Sequence, residues 1–289
     1  MLRETKARTL LNPVLRSEFL SMKKTRKKDQ IRQRNKDQGA SKEFALHVSV
    51  SNNDFNNVED LLKNGADIHK LTPKGKTALH FAAANNLIKM ADLLLEKGSS
   101  RDINIQEVDQ KFSPLHWGVL KSNATLVEKF LQAGAMVNLQ TRNGNTALHF
   151  AANMGDLSKM EVLLKHGADV EKALNKKGQT PLFNAIRSGK YSAVKLLIDN
   201  GANVSIKDFN GDYPIHIAVQ YEDIEVIDLL LEHGAKLDVS NYEGTTPFHI
   251  AGWFGSLNLK RHLQEKAPEI AKRDLKQPPK LPKDKNLNR

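Results

Sequence analysis

Thr146-Ala147-Leu148-His149, near the middle of the 289-residue chain, decides the fold because it is one of six near-copies. The others read Thr77-Ala78-Leu79-His80, Ser113-Pro114-Leu115-His116, Thr180-Pro181-Leu182-Phe183, Tyr213-Pro214-Ile215-His216 and Thr246-Pro247-Phe248-His249. Their first residues lie 36, 33, 34, 33 and 33 positions apart, and a step of 33 back from Thr77 reaches a worn seventh copy, Phe44-Ala45-Leu46-His47. A period this regular describes a stack of equivalent supersecondary units rather than one globular core.

Each copy reads as two helices. Thr77, Ser113, Thr146, Thr180 and Thr246 are suited to cap the first helix through the hydroxyl. Pro114, Pro181, Pro214 and Pro247 follow at the first helical position, where the missing N–H costs nothing. Leucines such as Leu79, Leu115, Leu148 and Leu182 then point inward, beside the small pairs Ala82-Ala83 and Ala151-Ala152 that let helices approach closely. After a polar turn such as Asn153–Asp156, a second helix carries apolar residues at helical spacing, as in Leu157, Met160, Leu163 and Leu164. Twenty-one residues after each copy begins comes the glycine that ends this helix: Gly65, Gly98, Gly134, Gly167, Gly201 and Gly234. The last copy has Ala267-Pro268 there instead. The segments between units contain the turn pairs Asn143-Gly144, Asn210-Gly211 and Glu243-Gly244.

The Thr-Pro-Leu-His motif, the period near 33 and endings such as Gly65-Ala66-Asp67 and Gly167-Ala168-Asp169 resemble ankyrin repeats. The resemblance covers residues 41–266, seven copies. It implies an all-α solenoid of stacked helix-turn-helix units with hairpin-like loops projecting roughly at right angles to the helices. It also implies a concave groove, lined by loop tips and by the exposed ends of the first helices, that binds another protein. Several copies depart from the pattern. Phe44 and Tyr213 replace the capping hydroxyl, so their helices are expected to start differently or less firmly. Lys111 stands where other copies have the turn glycine. The long interval makes Arg101–Glu107 the expected place for a bulge or local variation.

Charge is unevenly placed. The chain carries 44 Lys/Arg against 33 Asp/Glu, a net +11. Residues 1–40 hold 12 Lys/Arg and 4 Asp/Glu, and residues 260–289 hold 10 and 4, which leaves 22 and 25 in the array between them. The array is therefore slightly acidic between two basic arms, residues 1–40 and a Pro/Lys-rich tail at 267–289, whose compositions read as largely disordered. The densest cluster, Lys23, Lys24, Arg26, Lys27 and Lys28, reads either as a nuclear-import or phosphate-binding element or as a solvated tail. Cysteine is absent, which removes disulfides, zinc thiolates and cysteine nucleophiles and fits a cytoplasmic protein, with the nucleus as the alternative. No stretch approaches the ~20 apolar residues of a membrane span.

The search for reaction chemistry finds no candidate catalytic residue, metal site or cofactor loop. Six of ten histidines, His47, His80, His116, His149, His216 and His249, occupy one slot of the repeat. A recurring slot points to structure rather than unique chemistry, and in the family this histidine hydrogen-bonds within and between repeats. His166 and His233 precede helix-ending glycines, where a donor suits the last carbonyls. His69 and His262 have no evident partner. Asn138 and Asn203 lie in a loop slot that is hydroxylated in some ankyrin proteins, and otherwise read as turn asparagines.

The groove positions offer cations in the middle of the array, Lys121, Arg142, Lys176, Lys177 and Arg187, and aromatics later, Phe209, Tyr221, Tyr242, Trp253 and Phe254. Trp253 and Phe254 either cover the end of the array or face the groove. Phe209 and Tyr242 fall in polar loop tips where packing does not need them, and aromatics and arginine dominate interface energetics. The expectation is a monomeric, non-catalytic interaction module: an adaptor, inhibitor, scaffold or delivered effector. Its partner segment would be acidic and apolar. The alternative is a nuclear or nucleic-acid-associated factor working through the basic arms.

Overall fold

The computed structural model describes residues 44–171 and 175–274. The arm at 1–40, with its Lys23–Lys28 cluster, lies outside the described residues, as does the tail beyond Asp274. The chain divides into two compact units, the first ending at Arg142 and the second beginning at Asn143. All regular structure among the described residues is helical.

The first unit holds three helix pairs: α1 (Ala45–Ser51) with α2 (Phe55–Lys63), α3 (Ala78–Ala84) with α4 (Ile88–Glu96), and α5 (Pro114–Lys121) with α6 (Ala124–Gln132). First helices pack on first helices (α1 on α3, α3 on α5), and α4 lies against α6. Ala78, Leu79, Ala82, Ala83, Met90, Leu94, Leu126, Val127 and Phe130 are wholly buried. The alanines leave no bulk between neighbouring backbones, and the larger residues fill the seam between rows.

The second unit holds four pairs: α7 (Ala147–Met154) with α8 (Leu157–Lys165), α9 (Pro181–Arg187) with α10 (Tyr191–Asp199), α11 (Pro214–Gln220) with α12 (Ile224–Glu232), and α13 (Pro247–Phe254) with α14 (Leu257–Lys266). Helix α15 (Pro268–Asp274) packs on α13 and α14. This final helix lies beyond the expected boundary at 266. It buries Ala271 and Asp274, and Asp274 Oδ2 accepts a 2.8 Å hydrogen bond from the Thr246 hydroxyl. It thus covers the end of the last pair where a further copy would otherwise stack.

The repeated histidine caps the helices in a way the motif alone does not reveal. At Thr146 the backbone N–H and the hydroxyl both meet His149 Nδ1, at 3.1 and 2.9 Å. The same arrangement recurs at Thr77 with His80 and at Ser113 with His116. The expected hydroxyl-to-backbone cap is seen at Thr246, whose oxygen accepts the His249 N–H at 3.4 Å. Thr180 has Phe183 in that place and no imidazole; at Thr77, Ser113, Thr146 and Thr246 hydroxyl and histidine form a reciprocal capping box, in which the imidazole, one turn into the helix, accepts the cap residue's own N–H. Its Nε2 then donates to a backbone carbonyl of the following copy at 3.0 Å: His80 to Phe112, His149 to Gln179 and His216 to Thr245. Nε2 carries the proton, so Nδ1 is an acceptor. Burial pushes His80 down to about 3 and His149 down to about 4, against the opposing carbonyl bonds, so both are neutral near pH 7.

The departures resolve physically. Phe44 makes no side-chain cap and sits at φ −114°, ψ 15°, unlike the extended caps of the other copies. Tyr213 does not differ in the expected way. It keeps the extended conformation, and its N–H donates to His216 Nδ1 at 3.2 Å, because the cap needs only backbone and imidazole. Lys111 adopts φ +57° in the glycine slot. The three extra residues give the local variation rather than a bulge. They wind into a 3₁₀ turn, Ser99–Asp102, whose Asp102 is buried and meets His69 Nδ1 at 2.8 Å. His262 likewise has a partner, with Nε2 3.0 Å from Asp228 Oδ1, where Lys266 also binds at 2.7 Å. Burial raises the Asp228 carboxyl, but the bonds from Lys266 and His262 outweigh it and hold the group below its ordinary value. His233 Nδ1 bonds the Leu229 carbonyl at 2.9 Å, as its place before Gly234 suggested.

Candidate partner-binding face

In the second unit the hairpin-like loops are built from one side chain each. Asn175, Asp208 and Asn241 stand 33 residues apart. Each turns its Oδ1 onto two backbone N–H groups of its own loop: Lys177 and Gln179 at 2.8 and 3.2 Å, Asn210 and Asp212 at 2.8 and 3.1 Å, Glu243 and Thr245 at 3.0 and 2.9 Å. These are the side-chain-closed turns that Asn and Asp favour. Each loop is then tied to its predecessor. Lys176 N–H donates to Asn143 O at 2.9 Å, Phe209 N–H to Lys177 O at 2.9 Å and Tyr242 N–H to Asn210 O at 3.2 Å. Beneath them runs a side-chain ladder: Asn175 Nδ2 to Asn145 Oδ1 (3.2 Å), Gln179 Nε2 to Asp208 Oδ2 (2.7 Å) and Asn241 Nδ2 to Asp212 Oδ1 (2.7 Å). The tips are held in place before any partner arrives.

On this ladder Phe209 is 66% exposed and Tyr242 70% exposed. Their rings lie across glycines of the preceding tip. A Cβ on Gly178 would come within 2.3 Å of the Phe209 ring, and one on Gly211 within 2.8 Å of the Tyr242 ring. Lys207 Nζ sits 5.0 and 5.2 Å from the ring centroids of Tyr213 and Tyr242, close enough for cation–π attraction to both. Sequence reading missed Lys207. It precedes both tyrosines in the sequence and meets their rings only in the fold.

The ends of the first helices supply the rest. Arg187 closes α9, and its Nη1 donates to Gln179 Oε1 at 2.7 Å. Its charge is felt by Tyr221, Asp208, Asp212 and Lys177. Burial lowers Lys177, Arg187 lowers it further, and Asp208 partly opposes the shift. Lys176 is exposed at its tip. Trp253 stacks on His249 (centroids 6.2 Å apart) and meets Phe254 edge-on at 6.1 Å, so this half-buried pair is at least partly structural.

The first unit holds the two remaining expected cations. Arg142 is engaged with its own unit: Nε donates to Asp109 O at 2.6 Å and Nη2 to Val108 O at 2.7 Å, so it clamps the preceding loop. Lys121 is half-buried at the end of α5. Sequence reading passed over Trp117 here, half-buried with Lys76 Nζ 4.6 Å from its ring centroid. Asn203 Oδ1 accepts the Ser205 N–H at 2.8 Å, the behaviour of a turn asparagine.

The repeated imidazoles do not converge on one point. Among the described residues no group of three His, Asp or Glu side chains is placed to hold a metal ion, and no helix is long and apolar enough to cross a membrane.

Comparison with known proteins agrees with this geometry. The family profile for ankyrin repeats (three copies) matches residues 28–107, 46–141, 115–208 and 200–274, its first match beginning inside the basic arm. The chain is 31% identical over 179 residues to ankyrin repeat and SOCS box protein 16 of Homo sapiens, covering 59% of this chain and 39% of that protein. It is 35% identical over 166 residues to the nuclear factor NF-kappa-B p105 subunit of Gallus gallus, covering 57% of this chain and 17% of the relative. The chain thus spans well under half the length of these curated relatives. The crystal structure of the human ASB11 ankyrin repeat domain superposes with a TM-score of 0.67 at 25% identity, over 76% of this chain and 96% of that one. With its histidine-capped helix pairs and its profile matches from residue 28 to residue 274, the chain belongs to the ankyrin repeat family, and its repeats form a protein–protein interaction module.

Proposed function

We propose that the second unit binds a segment of a partner protein across its loop tips and the adjoining ends of α9 and α11, and that it does so without catalysing a reaction. The observation that carries this is the pair Phe209 and Tyr242. Both are large aromatics, about two-thirds exposed, on consecutive tips whose backbone N–H groups are hydrogen-bonded. Folding does not require a solvent-facing aromatic on a fixed loop, whereas binding does, because rigid aromatics give contact area at little entropic cost. Phe209→Ala combined with Tyr242→Ala is expected to weaken capture of a partner by about tenfold or more. Glu59→Ala, on α2 of the first unit, is expected to leave it unchanged. Equal affinity of the two folded variants would refute this assignment.

The basic arm supports a second reading. Lys23, Lys24, Arg26, Lys27 and Lys28 form a cluster dense enough for nuclear import or phosphate contact. We place the protein in the cytoplasm as a monomer. A fluorescent fusion that enters the nucleus only when this cluster is intact would move it there. Nucleic-acid affinity that disappears with residues 1–40 and 267–289 would favour the nucleic-acid role.

A further inference from the structure

Within the second unit the polar groups around Arg187 are engaged with one another, and Arg187 is the exception. Asp208 Oδ1 accepts from the N–H groups of Asn210 and Asp212, and its Oδ2 accepts from Gln179. Asp212 Oδ1 accepts from Asn241. Arg187 makes one hydrogen bond, to Gln179 Oε1, and no carboxylate among the described residues lies within 4.0 Å of it. The Asp208–Gln179 relay orients the guanidinium but leaves most of its five N–H donors for something else. Lys177, which feels the Arg187 charge, has no ionic partner either among the described residues, and the two repel. A ready-made anion receptor has this form: an oriented planar fork beside a flexible ammonium. It adjoins the aromatic tip, since the Lys177 carbonyl accepts the Phe209 N–H at 2.9 Å.

We propose that Arg187 and Lys177 receive the carboxylate of an Asp or Glu side chain in an extended partner segment, with an apolar neighbour of that residue resting on Phe209. This rests on the partner-binding reading above and adds the chemistry of one contact. A peptide carboxylate fits better than a nucleic-acid backbone. The site offers only two cations, and the array as a whole carries 22 Lys/Arg against 25 Asp/Glu. A polyanion needs many phosphate contacts and would be repelled by these surroundings.

The test selects short random peptides displayed on phage against the full chain, then measures selected peptides by fluorescence anisotropy. The expected result is enrichment of an Asp or Glu next to an apolar residue. Changing that acid to its amide should weaken binding to the wild-type chain by about tenfold, with no further effect on Arg187→Gln, so that the double-mutant cycle assigns the bond. Should Arg187→Gln melt early, Lys177→Gln, at an exposed position, serves in the same cycle with a smaller coupling. Selected peptides that need Phe209 and Tyr242 but carry no acid, or whose acid is uncoupled from Arg187 and Lys177, would overturn this inference and leave the partner-binding face standing. Peptides indifferent to all four residues, or no enrichment at all, would overturn both. Tight binding of a single-stranded oligothymidine that is lost in Arg187→Gln would overturn the carboxylate assignment.

Discussion

The imidazole of His149 joins two repeat copies with two nitrogens. Nδ1 accepts from the Thr146 N–H and hydroxyl, and Nε2 donates to Gln179 O in the next copy. Replacing it by alanine strands a buried N–H and a buried carbonyl, and the cost is expected to be roughly 2–4 kcal/mol. Thr146→Ala leaves the backbone-to-imidazole bond in place and should cost only ~1 kcal/mol. Urea unfolding of the two variants checks this order. The sequence showed that this histidine was structural, but not that it completes a capping box with the hydroxyl. The two groups take different donors, the hydroxyl the N–H of the third helical residue and the imidazole the cap's own N–H, and only the folded geometry shows that both are used. The same residues set a pH dependence. An unfolded histidine titrates near 6.5, whereas His80 and His149 in the fold titrate near 3 and 4. Below about pH 6.5 the unfolded chain gains protons that the native state refuses. Stability should therefore fall with decreasing pH by about 1.4 kcal/mol per unit for each histidine, until the folded values are reached. Denaturation midpoints across that window measure it, and a flat profile would show that these imidazoles are not held neutral.

At the scale of the elements, the loops and the final helix carry the testable detail. Lys111 occupies a left-handed conformation where other copies have glycine. Lys111→Gly is expected to stabilise the first unit by roughly 0.5–1 kcal/mol, the relief of backbone strain exceeding the added freedom of the unfolded chain. That slot was legible from the repeat alignment alone. Gly178→Ala should do the reverse. Its backbone is left-handed (φ +71°), and the new methyl would displace the Phe209 ring, so both stability and partner binding should drop. Helix α15 was not legible. Residues 267–289 read as a basic Pro/Lys-rich tail, and nothing in Pro268–Asp274 repeats the motif that marks the other helices. What recruits it is the exposed end of the stack, where Thr246 and Asp274 meet only in three dimensions and Ala271 is buried. Truncation after Lys266 should uncover that end, and hydrogen exchange should then speed up in α13 and α14 while α9 and α10 stay protected. The pairs His69–Asp102 and Asp228–His262 lie 33 and 34 residues apart, so reading charges at the repeat period would have found both.

For the whole molecule, the family, the all-helical stacking and the histidine slot were readable because each is stated several times over in the sequence. The proposed binding face was only partly readable. Phe209 and Tyr242 are exposed on loop tips and Arg187 closes α9, but Arg142 is engaged with the carbonyls of Val108 and Asp109, and Lys207 became visible only between its two tyrosines. A side chain's sequence position gives its slot in the repeat, whereas its availability depends on what its neighbours leave unsatisfied. The central claim is that the loop tips of the second unit meet another protein. Its most direct test installs a photo-crosslinking benzoylphenylalanine at position 209 or 242 of the full chain, with position 195, exposed on α10, as the control. After irradiation in a cell lysate, the account predicts discrete protein adducts from 209 and 242 and none from 195. The same adducts from all three positions, or adducts from 195 alone, would contradict it.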